Sequence, residues 1–193
     1  MMRYLNVFAT VAWMLTGPAV LSAETDIPTC GDGVVGIECI AMRDEVGPWQ
    51  IEEVVPPVGT QNALKMSTPS FEDVPGLFGR TEPATFILTC VENRTSVEVR
   101  FGENFMSDVG DFGQLIFKVD DGAPIAINLT TSADNTALGI FSGARAIPFI
   151  ADLFGSERLL VSAQSFTGRT LTSSFSITGI ESAIRPLRAL CNW

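Results

Sequence analysis

Four cysteines, Cys30, Cys39, Cys90 and Cys191, carry the most definite chemistry in the sequence. An even number in an exported chain reads as two disulfides, for which three connectivities exist. The spacing favours Cys30 with Cys39, because Gly31, Gly33 and Gly36 let that segment double back. Cys90 and Cys191 then tie a central strand to the last turn of the chain. Loop-closure entropy makes the short bridge worth about 3 kcal/mol and the long one about 5 kcal/mol. Zinc ligation suits these residues poorly, since there is no C-x-x-C pair and no histidine.

The lack of histidine also removes Ser-His-Asp and Cys-His catalysis and any H-E-x-x-H metal site. With the cysteines bridged, no thiol nucleophile remains. Lys65 and Lys118, the only lysines, do not follow a serine in S-x-x-K spacing. No phosphate-cradling glycine loop is present. Carboxylates are the remaining candidates: Glu52-Glu53, and Asp108, Asp111, Asp120 and Asp121. Adjacent acids on a strand point to opposite faces, and Asp120-Asp121 fall in a turn, where Asp suits the backbone. A glycosidase needs two acids across a cleft, so a carboxylate-dependent cell-wall hydrolase stands only if these acids converge. Calcium has hard oxygens available at Asp108 and Asp111, but not the spacing of a recognised loop. No catalytic, cofactor or metal residue is assigned. Trp49 is the one candidate interaction residue, with packing beside a strand start as the plainer role.

The elements that must position these residues are mostly strands. Trp49 to Val54 alternates, and Ala63 to Ser67 is a second short strand. Ser67 to Arg80, with Pro69, Pro75, Gly76 and Gly79, reads as a loop or distorted edge. Thr85 to Val91 and Ser96 to Phe101 form a hairpin about a polar turn, with Val97, Val99 and Phe101 on its apolar face. Gln114 to Val119 and Ile125 to Leu129 form another about Asp120-Asp121-Gly122. Thr136 to Phe141, Arg158 to Gln164 and Thr170 to Ile177 complete the strands. Ala144 to Phe154 has helical spacing, with Ile147, Ile150, Ala151 and Phe154 on one face and Pro148 in its first turn. Ile180, Ala183, Ile184 and Leu187 share one face of a last helix that Pro186 kinks or shortens. The expected fold is mainly β, sandwich-like, with two short helices, the last at the C-terminus, and disulfide-stapled.

Arg3, the apolar run Val7 to Leu21 and the small pair Ser22-Ala23 have the layout of a cleaved secretory signal. The expected organisation is a signal peptide over residues 1–23, a small disulfide-closed segment over 24–47, and a β-rich globular domain over 48–193. The full chain has net charge −10; cleavage removes Arg3 and no acid, leaving 11 basic residues against 22 acids, a net −11. That excess disfavours a nucleic-acid surface.

Several segments resemble the VasI/TagO family of accessory proteins associated with the bacterial type VI secretion system. They are Trp49 opening a strand, the run Leu88-Thr89-Cys90-Val91-Glu92-Asn93-Arg94-Thr95-Ser96-Val97, Phe149-Ile150 with Leu153, and Gly179 with Ala183-Ile184, Leu187-Arg188 and the ending Cys191-Asn192-Trp193. The cysteine-bearing hairpin and the C-x-W ending are the most specific. The chain departs from the family at Cys39, preceded by Gly36-Ile37-Glu38, and at Thr89, where the family often has arginine. Invasion-associated locus B proteins are a rival resemblance, through the strand, Gly179-Ile180 and helix at the end. The resemblance implies a non-enzymatic periplasmic accessory or interaction protein without a cofactor. Its partners would be envelope or secretion-apparatus proteins, with no nucleic acid and no stable membrane span after cleavage.

Overall fold

The computed structural model describes residues 47–53, 63–76 and 79–193, and the backbone alone at 29–30, 34–35 and 54. The expected signal peptide and the Cys30–Cys39 bridge lie outside the described residues. Of the N-terminal segment, β1 (Thr29–Cys30) and β2 (Val34–Val35) pair antiparallel.

Ten further strands form one sheet: β3 (Gln50–Val54), β4 (Ala63–Pro75), β5 (Thr81–Val91), β6 (Arg94–Arg100), β7 (Gln114–Val119), β8 (Ile125–Asn128), β9 (Thr130–Thr131), β10 (Ala137–Ile140), β11 (Arg158–Gln164) and β12 (Thr170–Ser176). Their order is β8-β7-β11-β12-β4-β5-β6-β10-β9, with β3 also on β4. Every described pairing is antiparallel. The two ends of this path, β8 and β9, are separated in the chain by Leu129 alone. The sheet therefore curls round on itself as a near-barrel, and its halves face each other as in a sandwich. Leu129 donates its N–H to Gly113 O at 2.9 Å. A Cβ on Gly113 would come within 2.9 Å of Leu129 O, so the closure needs glycine there.

The halves are continuous through β4, and this corrects the reading of Ser67 to Arg80 as a loop or edge. β4 runs to Pro75 as the longest strand, with a register shift between Pro69 and Asp73. Proline cannot donate to a ladder, so Pro69 and Pro75 sit at the bulge and at the strand end. Beyond Pro69 the strand bends, and Ser70 pairs with Phe175 of β12. Ser70 Oγ, accepting Ala84 N–H at 2.9 Å, secures the bend.

Alternation elsewhere is as expected. Val97, Val99 and Phe101 are buried. The β5–β6 turn is tighter than the sequence implied: only Glu92 and Asn93 are unpaired, both at positive φ, as a two-residue hairpin requires. Phe86 bridges the halves, with its ring 6.1 Å from Trp49 and 5.9 Å from Phe175. Burying each such ring contributes roughly 2–3 kcal/mol.

Among the described residues the helical segments are α1 (Gly143–Ala151), α2 (Ile180–Ala183) and α3 (Arg185–Cys191). Helix α1 buries Ala146 and Ile150, with Leu153 following; Ala151 is exposed, so its apolar face is rotated from the expected one. Pro148 sits inside this helix rather than in its first turn. At the other end Pro186 splits the expected last helix into α2 and α3 at Ile184. The predicted face survives the break: Ile180, Ala183, Ile184 and Leu187 are all buried. The Cys90–Cys191 disulfide, with S–S 2.02 Å and 101 residues of separation, locks α3 to β5. Arg188 finishes the end of the chain by donating Nε–H to Trp193 O at 3.2 Å while its guanidinium lies 5.0 Å from the Trp193 ring.

Candidate functional site

Trp49 packs into the core. It is 6% exposed, and its indole N–H donates to Thr178 O at 3.1 Å. The bulk of the ring fills the space between β3, β5 and the end of β12, which is why the chain uses tryptophan at this strand start. The space between the two halves is small. A void between the halves, lined by Phe86, Val97, Leu115, Leu138, Phe149 and Val161 among others, measures about 10 Å³. That is room for about one water.

Asp108, Asp111, Asp120 and Asp121 are all exposed. Asp120, at φ 46°, accepts the N–H of Glu157 at 3.1 Å and of Arg158 at 2.8 Å, so its carboxylate holds the start of β11. It lines, with Asp121, Glu157, Arg158 and Phe71, an open polar groove of about 580 Å³. Asp108 and Asp111 lie in the segment before β7 and do not line this groove. Of the four predicted acids, Asp120 and Asp121 thus share one open groove with Glu157, and Asp108 and Asp111 stand apart from it. Among the described residues, no cluster of three metal-ligating side chains occurs.

The two halves of the sheet present different outer faces. On β4–β5–β6 the outward residues satisfy one another. Lys65 Nζ donates to Glu52 at 3.2 Å, and Thr89 and Ser96 share a hydrogen bond of 2.6 Å. Arg100 donates to Asp134 at 2.8 Å and to Glu98 at 3.4 Å, and bonds Thr136 as well. Burial pushes the Glu98 carboxyl above its ordinary value, and the Arg100 guanidinium offsets this only in part. Hydrogen bonds from Ser132 and then Arg100 hold Asp134 well below the usual carboxylate range.

The outer face of β7–β11–β12 is not closed in this way. Pairing aligns Ile116 with Ser162 and Lys118 with Leu160, and strand alternation sends all four outward. Ile116 is 44% exposed and Leu160 39%. At one end of β11 the guanidinium of Arg158 lies 6.0 Å from the ring of exposed Phe71. At the other end stand three packed rings: Phe166 lies 5.5 Å from Phe105 and 5.7 Å from Phe112. From Arg158 to Phe166, about 25 Å of strand rise, exposed Leu160 and Phe166 form an apolar stripe interrupted by Ser162, which meets Thr172 at 3.2 Å, and by Gln164. Spacing in the sequence singles out none of these residues, because Ile116 and Leu160 sit in continuous apolar runs that read as buried on both faces. The signal available was Phe105 and Phe166, single aromatics inside segments otherwise polar or glycine-rich.

The fold and its surfaces define a class: an antiparallel β near-barrel, closed by a terminal disulfide, with one polar outer face and one that mixes polar groups with exposed apolar ones. The model of the type VI secretion system VasI/EvfG family matches residues 57–193, and the chain belongs to that family. No curated protein matches it. Among solved structures, invasion associated protein B from Bartonella henselae is similar at TM-score 0.48 and 16% identity, over 76% of this chain and 96% of that one. Among the described residues, no helix is long and apolar enough to cross a membrane.

Proposed function

We propose that the chain is an exported periplasmic protein that serves a type VI secretion apparatus as a non-enzymatic accessory, docking an envelope or apparatus protein through the apolar stripe on β7–β11–β12. The observation that carries this reading is the family match over residues 57–193. The signal-like start from Arg3 to Ala23 supports export. So does the Cys90–Cys191 bridge, which suits an oxidising compartment. The stripe supplies the means, since exposed apolar side chains gathered on one face mark interaction surfaces.

The test combines fractionation with export. The chain is expected in the osmotic-shock fraction with its cysteines oxidised, and cells lacking it should export type VI substrates poorly until it is restored. Retention in the cytosol with reduced cysteines, or undiminished export without the chain, would overturn the proposal.

A further inference from the structure

We infer that the Phe105–Phe112–Phe166 cluster is the anchor of the docking face, and that it takes a protein segment of apolar residues flanked by lysine or arginine. This inference rests on the docking reading above and names the chemistry of the partner.

The cluster is exposed and held in place. Phe105 is 47% exposed and Phe166 55%, and Val109, between them and Phe112 in the chain's course after β6, is exposed as well. Exposed rings cost free energy in water, and the backbone beneath them is fixed rather than free to fold them away. Phe166 donates its N–H to Phe105 O at 2.9 Å, tying the β11–β12 turn to the segment after β6. Met106 is fully buried and donates its N–H to Asn135 O at 2.7 Å. Asn104, also buried, donates Nδ2–H to Pro75 O at 2.9 Å and to Phe101 O at 2.8 Å. Rings already fixed lose little conformational entropy on binding, which is the property of an interface anchor.

The charge around the cluster selects the partner. Asp108 and Asp111 are exposed and bracket Val109, with Phe112 next in the chain. The base in the β11–β12 turn, Arg169, keeps its charge but is drawn toward Pro75 O at 3.2 Å and Gly76 O at 3.3 Å, and the two aspartates outnumber it. An apolar patch with an acidic rim complements an apolar segment with a basic rim. It disfavours three other occupants. A second mature copy brings a second net charge of −11, from 22 acids against 11 bases. An anionic lipid surface repels the same aspartates. Residues 24–47 of this chain hold six acids, Glu24, Asp26, Asp32, Glu38, Asp44 and Glu45, against Arg43 alone.

Two labelled peptides test this with the mature chain by fluorescence anisotropy at low salt. Both have the same five-residue apolar core, one flanked by two lysines at each end and the other by two glutamates. The lysine-flanked peptide should bind roughly tenfold tighter, as a few exposed ion pairs allow. Phe166→Ser should abolish its binding, and the double variant Asp108→Asn/Asp111→Asn should erase the preference. A cooperative thermal transition well above the assay temperature shows that the variants remain folded. Equal affinity for the two peptides, no binding of either at millimolar concentration, or binding indifferent to Phe166→Ser would overturn the inference. So would a dimer in sedimentation that Phe166→Ser dissociates, since the face would then belong to a second copy. Peptide binding with undiminished export in cells lacking the chain keeps the anchor and removes the accessory role; lost export without peptide selectivity does the reverse.

Discussion

The two outer faces of this sheet are built from the same strand geometry and end in opposite states. On β4–β5–β6 outward polar groups find neighbours through the Glu52–Lys65 pair, the Thr89–Ser96 bond and the Glu98–Arg100–Asp134 chain. On β7–β11–β12 the outward row mixes Gln114, Ile116 and Lys118 with Leu160, Ser162 and Gln164, and the apolar members stay in water. A face that satisfies its own groups gains little from a partner. A face that leaves Ile116, Leu160 and Phe166 exposed gains the burial of each. This difference is the reason the proposed docking is assigned to one side of the near-barrel.

The most severe way to disturb the comparison is to loosen the scaffold that holds both faces. Cys191→Ser removes a bridge over 101 residues and should cost about 4–5 kcal/mol in oxidising buffer by loop-closure entropy. Under reductant it should cost little; urea unfolding in both buffers distinguishes this from a general packing defect, which lowers stability equally. Phe86→Ala empties the contact between the halves and should cost about 3–5 kcal/mol, read from the same unfolding curves.

Smaller effects separate the faces. Trp49→Phe deletes the hydrogen bond to Thr178 O but keeps an aromatic ring, and should lower stability by about 1 kcal/mol. If it instead abolished partner capture with stability intact, the packing role assigned to Trp49 would fail. On the polar face the pH response follows Glu98. Its carboxyl is held above the ordinary value, so the folded chain takes up that proton before the unfolded chain does. Stability from this group is therefore fully present below the ordinary pKa of 4.5 and is lost as pH rises through the raised folded value. Glu98→Gln should remove that loss, flattening the profile on the acid side of neutrality. Asp134 has the opposite sign: its contribution is present above 3.8 and is lost only as the pH falls through its lowered folded value. Urea midpoints of the two proteins across this range check the sign. The smallest effect belongs to the apolar face: Phe166→Ser should lower stability by about 1 kcal/mol or less, because the ring is half in water already.

Much of this architecture could be read in the residues. Val97, Val99 and Phe101 alternate because one side of β6 meets the core, and Pro186 breaks the final helix because it has no N–H to donate to the helical ladder. The pairing of Cys90 with Cys191 followed from spacing. What stayed hidden has a common cause. Pro69 and Pro75 made β4 look like a loop, since the bend that accommodates them depends on β12 far away in the sequence. Leu159-Leu160-Val161 looks buried on both sides, and only the folded sheet shows that Leu160 meets water. The candidate surface was thus written in apolar residues whose exposure no local pattern reveals, while the conspicuous Trp49 belongs to the core.

Photocrosslinking in intact envelopes compares the two faces directly. A photoreactive phenylalanine analogue is placed at position 166 on the apolar face, or at position 96 on the polar one. A discrete adduct with an envelope protein is expected from position 166 and none from position 96. Adducts from position 96 alone, or equally from both, would contradict a docking role for the apolar face.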